Sequence, residues 1–202
     1  MPINLANNNS LANITALPSG VSGGAMTLLD TQTASNSATI SFTSGIDDTY
    51  DKYVFKFINI HPATDQAKFT FNMSTDGGSN YNVTKTTTYF TTFHQENGSN
   101  GLLQYEAGFD LAQSTAFQRL SANMGNNNDD NLCGNLTIYN PASTTFVKHF
   151  IANNNHNHQT SAPANVEPFV AGYGNTQSAI DSVQFKFDSG NFDGVIKLYG
   201  VS

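Results

Sequence analysis

The chain has 202 residues, of which only 11% are charged, and its formal net charge at pH 7 is -7. This length suits one all-β domain with a substantial core. The acidic balance argues against a nucleic-acid partner, because such a surface repels phosphate. Asparagine, threonine and serine, with 26, 22 and 18 residues, take the place of charged residues, and these types are typical of strands and turns.

A lone cysteine and short apolar runs narrow the class of protein further. Cys133 cannot form an intramolecular disulfide, so packing must stabilise the fold, and we expect this thiol to be an inert small apolar residue. No run approaches the ~18 apolar residues of a membrane helix, and residues 1–24 lack the features of a signal peptide. We therefore expect assembly in the cytoplasm and no membrane partner.

Residues 1–24 are predicted to form an extended N-terminal arm, which precedes one β-sandwich domain of residues 25–202. The arm has no sustained hydrophobic period. It is either a solvated tail or a segment that becomes ordered only against a neighbouring molecule. In the second case its partner-binding residues are five scattered aliphatic side chains: Ile3, Leu5, Leu11, Ile14 and Leu17.

The first predicted strands are residues 26–33 and 38–43, with a turn at residues 34–37 between them. Residues 52–74 then form two strands joined by a short polar turn at residues 61–66, which we interpret as a central hairpin. Its first strand has apolar residues on both faces, which predicts a strand covered on both sides with a bulge near Phe57. In its second strand Lys68, Thr70 and Asn72 alternate with apolar residues, which predicts one solvent-exposed face.

Further strands follow at regular short intervals. They are predicted at residues 81–95, 102–107, 132–139, 145–152, 166–173, 183–187 and 195–201. Residues 132–152 and 183–201 read as two hairpins, residues 111–120 as one or two helical turns, and residues 153–165 as a long polar loop. Pro168 predicts that its strand lies near an edge or begins there.

This pattern predicts an all-β fold: an antiparallel, two-sheet, jelly-roll-like β-sandwich of about ten strands. Its spacing differs from the alternation of strands and helices in α/β folds. The core is predicted to hold six phenylalanines: Phe55, Phe57, Phe69, Phe71, Phe185 and Phe187.

Two groups of residues are candidate ion ligands. His156 and His158 are two residues apart, so an extended chain places both rings on one side, but two ligands do not make a metal site. A polar exposed loop is the favoured interpretation, although a three-fold assembly could bring three such pairs to one axis. Asp129 and Asp130, and also Asp47, Asp48 and Asp51, offer oxygen ligands for Ca²⁺; their spacing differs from that of an EF-hand and is more typical of turns.

No residues resemble a catalytic set. The chain has three glutamates, Glu96, Glu106 and Glu167, and lacks a G-x-S-x-G motif. We therefore expect a protein that is not an enzyme and needs no cofactor. Aromatic residues between Tyr81 and Phe93 could stack on sugar rings, although the core is the favoured place for them.

Four segments resemble a family of small virion structural proteins of tailed bacteriophages of aquatic bacteria. They are SGIDDTYDKYVFKFINIHPATD (44–65), STDGGSNYN (74–82), NPASTTFVKHF (140–150) and VIKLYGV (195–201), and the resemblance extends from about residue 28 to residue 201. These are strand and turn residues, so the resemblance implies a fold and a virion location but transfers no active-site residue.

Two functions follow from the resemblance. The first is a capsid decoration or cement protein, expected as a homotrimer that contacts the major capsid protein or other virion proteins. The second is a tail-fibre or tail-tip module that binds a host surface glycan. The short chain without a heptad repeat favours decoration, because fibres are usually longer.

Overall fold

The computed structural model describes residues 26–158 and 163–202, which form twelve β-strands. The strands are β1 (Thr27–Ser37), β2 (Ile40–Phe42), β3 (Lys52–Pro62), β4 (Phe69–Ser74), β5 (Lys85–Gln95), β6 (Gly101–Tyr105), β7 (Gln118–Arg119), β8 (Leu132–Tyr139), β9 (Lys148–His158), β10 (Ala164–Gly174), β11 (Ser182–Phe187) and β12 (Phe192–Val201). In this described part of the chain, no helix has the length and apolar character needed to cross a membrane. The predicted arm and its five aliphatic residues lie outside it.

The strands form two antiparallel sheets. The large sheet has the order β1-β12-β3-β8-β9-β10-β5-β6, and the small sheet has the order β2-β11-β4-β7. This confirms the predicted all-β, two-sheet β-sandwich, with twelve strands in place of about ten.

Aromatic side chains from both sheets fill the space between them. Phe55 of the large sheet meets Phe185 of the small sheet with ring centroids 5.1 Å apart, and Phe71 meets Phe150 at 5.0 Å. All six predicted core phenylalanines are buried, which confirms that prediction. Edge-to-face pairs of this kind stabilise a core beyond their buried area alone.

Two predicted hairpins are wrong, because their strands lie in different sheets. β3 belongs to the large sheet and β4 to the small one, and the same is true of β12 and β11. The predicted turns at residues 61–66 and 189–194 instead carry the chain across the roughly 10 Å between packed sheets. The predicted hairpin of β8 and β9 is confirmed by their antiparallel register from Leu132↔His156 to Ile138↔Phe150.

The predicted burial of β3 and β4 is reversed. Ile58 of β3 is exposed, so that strand is not covered on both faces, whereas all six residues of β4 are buried. Asn72 explains the difference, because its Nδ2 donates to the carbonyls of Tyr81 and Thr115 in segments that cover the small sheet. The predicted bulge is confirmed: Asn59 lies in the left-handed region with φ 51°, and the register with β8 shifts between Phe57 and Ile60.

Four further expectations are corrected by the strand bounds. Residues 111–120 contain turns and β7 with no helix, and residues 34–37 belong to β1. Much of the predicted loop at residues 153–165 is strand, since β9 continues to His158 and β10 begins at Ala164. Pro168 lies in an interior strand, where β10 pairs with β5 on one side and β9 on the other. Pro168 is tolerated there because the pairing of β10 with β9 is interrupted between Val166 and Phe169.

A buried lysine connects the two sheets. Lys85 of β5 is fully buried, and its Nζ donates to Oδ1 of Asn72 in β4 at 2.5 Å and to the Val83 carbonyl at 2.8 Å. Burial lowers the pKa of Lys85 to about 7. The amine is therefore bonded to uncharged oxygens, one of them in the opposite sheet.

Candidate binding face of the eight-stranded sheet

The outer face of β8, β9, β10, β5 and β6 carries a continuous patch without charged residues, bordered by Glu167 on β10 and by Lys56 on the adjoining β3. Side chains alternate along these strands, so the inward residues reach the core and the others face outward. We call this surface the uncharged face. It comprises Tyr139, His149, Tyr173 and Thr86; Thr137, Ile151, Ala171 and Thr88; and Asn135, Asn153, Phe169, Phe90 and Tyr105.

Strand register arranges these side chains in rows across the sheet. One row runs from His149 through Tyr173 to Thr86, and the next runs from Ile151 through Ala171 to Thr88. Directly opposed residues on one face have Cβ atoms about 5 Å apart, so each row is a set of contacting neighbours. The short side chain of Ala171 therefore leaves a depression between taller ones.

An open hollow of about 450 Å³ lies at this depression, with the rings of Tyr139 and Tyr173 and the imidazole of His149 in its lining. Beside it Phe90 and Phe169 stack with ring centroids 5.0 Å apart and an angle of 10° between planes. Ile151 is 50% exposed and Phe90 is 40% exposed. Contiguous exposed apolar surface of this kind usually marks a contact site.

The opposite end of the same sheet face is polar. Asn131, Asn155, Asn157 and Asn165, together with His94, Glu96, Asp129 and Cys133, line a second open hollow of about 480 Å³. We call this the asparagine groove. Asn155 Nδ2 donates to Asn165 Oδ1 at 2.7 Å, so the amides are partly organised by one another. Amides and carboxylates around an open groove can bind polar ligands, while the uncharged face offers apolar contact.

The expectation that His156 lies in an exposed polar loop is wrong. His156 is buried in β9, where its Nε2 accepts the Ala122 N–H at 3.2 Å and its Nδ1 lies 3.0 Å from the Asn157 carbonyl. Burial lowers the pKa of His156 to about 4. Because both ring nitrogens already have partners inside the protein, this residue cannot meet copies of itself on a three-fold axis.

The aspartates hold turns together. Asp47 Oδ1 accepts the Thr49 N–H at 2.9 Å and the Tyr53 hydroxyl at 2.8 Å, and these hydrogen bonds lower the pKa of Asp47, the Thr49 backbone bond most of all. Asp130 Oδ2 accepts the Asn127 N–H at 2.9 Å. Within residues 26–158 and 163–202, no three His, Cys, Asp or Glu side chains are grouped closely enough to hold a metal ion.

The remaining candidates are dispersed. Cys133 is exposed on β8 and borders the asparagine groove, so it is not part of the core. Tyr89 is fully buried, as the core interpretation predicts, but Phe90 points outward. The glutamates lie apart in the fold, with Glu96 after β5, Glu106 after β6 and Glu167 in β10.

Sequence reasoning missed the uncharged face, although a signal existed. In β9 the inward positions include Phe150 and Ala152, so Ile151 is an apolar residue on the polar phase of the strand. Phe169 and Phe90 occupy the corresponding phase of β10 and β5, where they pair directly. These three residues can be recognised as one surface only when the register of β9, β10 and β5 is known.

Comparison with protein-family models, with curated proteins and with solved structures gives no match to this chain.

Proposed function

We propose that this protein is a non-enzymatic structural protein of a bacteriophage virion, most specifically a capsid decoration or cement protein. It acts as a homotrimer and contacts the major capsid protein or other virion proteins, without a cofactor. The resemblance of four strand and turn segments to small virion proteins supports the virion context. The structural observation that carries the proposal is the uncharged face.

The uncharged face suits contact with another polypeptide. Ile151 is 50% and Phe90 40% exposed, so burying the rest of each side chain in a packed interface would contribute about 0.5 to 1.5 kcal/mol. It contains no Asp, Glu, Lys or Arg, so its burial carries no cost of desolvating a full charge. Aromatic residues are enriched and charged residues depleted at the centres of protein interfaces.

The proposal is tested by locating the protein on the virion and by measuring whether particle binding depends on the uncharged face. Cryo-EM of purified virions should place copies of the chain on the outside of the head shell. Recombinant protein should co-sediment with particles from which the native copies have been removed. Density for this chain on the tail, or none on the particle, would contradict the decoration role.

A pair of isoleucine variants links binding to the uncharged face. Ile151→Asn alters the face, whereas Ile58→Asn alters an exposed isoleucine on β3, outside it. We expect Ile151→Asn to weaken particle binding and Ile58→Asn to leave it unchanged, with both variants retaining the normal melting temperature.

A second candidate function is a tail-fibre or tail-tip module that binds a host surface glycan. The asparagine groove favours it, because amide and carboxylate groups surround an open hollow of about 480 Å³ on the same sheet face. Sugars are bound by such polar groups together with aromatic rings, and the Phe90–Phe169 stack supplies the rings.

Glycan arrays distinguish this candidate. Specific binding that is lost in both Asn155→Ala and Phe90→Ala would support the glycan module. If neither host lipopolysaccharide nor capsular polysaccharide binds at millimolar concentration, the second candidate fails.

A further inference from the structure

Taken alone, the uncharged face is smaller than the usual interface between globular proteins, so a virion contact made through it would need further surface. Five strands and three rows cover roughly 24 Å by 20 Å, or about 500 Å². A stable protein–protein interface usually buries about 800 Å² on each partner. The dimensions of the face instead fit one extended segment of polypeptide lying across the strands.

We propose that this segment is the N-terminal segment of the protein's own chain, residues 1–25, which docks on the uncharged face. The proposal deepens the proposed function and rests on it in taking the uncharged face as a protein-binding surface. It names the polypeptide that the face receives.

The position where the described chain begins supports this assignment. Register places Thr27 opposite Gly200, Gly200 opposite Tyr53 and Tyr53 opposite Ile138. The same row continues through Phe150 and Gly172 to Thr87. All three of these last residues line the hollow of the uncharged face. The chain therefore enters the large sheet at the level of the hollow.

The N-terminal segment is long enough to reach the uncharged face from the start of β1. β9 and β10 are the fourth and fifth strands from β1 in the large sheet, which is about 19 to 24 Å at 4.8 Å per strand. Leu17 is ten residues before Thr27, and ten extended residues span up to about 33 Å. Leu17, Ile14 and Leu11 can therefore lie over the face of the same molecule, and the face of an adjacent copy is reachable in the same way.

The chemistry of the segment matches that of the face. Residues 1–25 contain no Asp, Glu, Lys, Arg or His, and their apolar content includes Ile3, Leu5, Leu11, Ile14 and Leu17. Aliphatic side chains fit an aromatic-walled hollow, and the intervening asparagines can hydrogen-bond to the threonines and asparagines of the rows. Neither residues 1–25 nor the residues of the uncharged face include Asp, Glu, Lys or Arg, so no such side chain loses its hydration on contact.

The single cysteine of the chain allows a direct test in the full-length protein. Cys133 is exposed on β8, about 13 Å along that strand from Thr137 of the uncharged face. In Ser19→Cys, a docked segment places the new thiol over β8, because Ser19 is two residues nearer to Thr27 than Leu17 and β8 is the strand before β9. Mild oxidation should then form a disulfide with Cys133. The control is Ser19→Cys/Ser79→Cys/Cys133→Ser, which moves the partner thiol to an exposed turn after β4.

We expect disulfide formation with Cys133 to be roughly tenfold faster than with the control thiol, the ratio that one well-buried side chain provides. Adding Ile151→Asn to Ser19→Cys should remove most of this advantage, and adding Ile58→Asn should not. A monomeric product on a non-reducing gel means docking within one chain, and a ladder means docking between copies; both support the proposal.

Equal rates for Cys133 and the control thiol, or a rate unaffected by Ile151→Asn, would overturn the inference. Its failure can be separated from failure of the proposed function. Particle binding that persists without the disulfide would leave the virion role standing and reject the docked segment. Disulfide formation with Cys133 in a protein that does not occur on virions would support the docked segment and reject the virion role.

Discussion

At the scale of single residues, His156 makes the stability of the fold sensitive to acid. Its Nε2 accepts the Ala122 N–H, so the proton of the neutral ring is assigned to Nδ1, which donates to the Asn157 carbonyl. Protonation would place a second N–H against the Ala122 donor inside the core. The unfolded chain has no such restriction, and the pKa of its histidine is near the ordinary value of 6.5.

We therefore expect stability to fall as the pH decreases from about 6.5 to about 4, the folded-state pKa of His156. Over this window the unfolded chain binds one more proton than the folded chain at this residue, which costs on the order of 3 kcal/mol in total. Urea melts at half-unit pH steps measure the slope. His156→Gln should reduce it, and His149→Gln, which alters an exposed ring, is the matched control. An unchanged slope in His156→Gln would contradict this assignment.

A substitution of Phe71 tests the packing of the aromatic core. Its ring is fully buried and meets Phe150 at 5.0 Å between centroids. Phe71→Ala should lower the free energy of unfolding by about 3 to 5 kcal/mol, because it removes a buried aromatic ring and leaves a cavity. Phe146 is 69% exposed, so Phe146→Ala should stay within about 0.5 kcal/mol of the wild type. A loss below about 1 kcal/mol for Phe71→Ala in denaturant melts would be inconsistent with this packing.

At the scale of strands, Gly134 permits β8 and β9 to pair closely. It lies opposite Asn154, whose buried side chain donates from Nδ2 to the Leu120 carbonyl at 3.0 Å. A Cβ at position 134 would lie 2.6 Å from the Asn153 carbonyl oxygen, which is backbone and cannot rotate away. The pairing of these two strands therefore depends on the missing side chain.

Gly134→Ala should cost about 1 to 3 kcal/mol, as overpacking does in well-packed interiors. Gly108→Ala is the control, because a Cβ there meets no atom within 4 Å. The melting temperatures of both variants, measured by thermal unfolding, test this prediction. Equal melting temperatures would mean that β8 can shift without penalty.

Local pattern predicted strands well where apolar and polar residues alternate strongly. The bounds of β8 are predicted to the residue, and the bulge of β3 follows from a break in phase. β9 and β10 are longer than predicted because Asn153–His158 carries polar side chains inward, where Asn154 and His156 bond to the covering segment at Leu120 and Ala122. Propensity alone cannot anticipate partners that come from another part of the chain.

Sheet membership was beyond local prediction for a related reason. Two adjacent strands joined by a short polar turn look the same whether they pair or cross between sheets, as β3 and β4 do. The uncharged face depends on this membership, because Ile151, Phe169 and Phe90 become neighbours only through the order β9-β10-β5. The sequence therefore predicted the fold class and core but not the candidate site.

At the scale of the whole molecule, the two sheets differ in width, and this difference shapes the surface. Eight strands face four, and the segments before and around β7 cover part of the inner side of β5. Thr87, for example, donates from Oγ1 to Gln118 Oε1 at 2.6 Å. The chain itself therefore covers β5 on this side, whereas the opposite side of β5 carries part of the uncharged face.

The last prediction concerns the number of copies. If the N-terminal segment of each copy docks on the uncharged face of the next copy, a closed ring leaves no uncharged face without a segment. Three copies form such a ring with cyclic symmetry. Several linked contacts of modest strength then hold more tightly than any one of them, since each later contact forms at a high effective concentration.

Sedimentation at micromolar concentration should therefore give the mass of three chains of 21.7 kDa each. Removal of residues 1–24 should yield monomers with an unchanged melting temperature, Ile151→Asn should weaken the trimer, and Ile58→Asn should preserve it. A full-length protein that sediments as one chain, or a trimer that survives removal of residues 1–24, would contradict assembly through the segment.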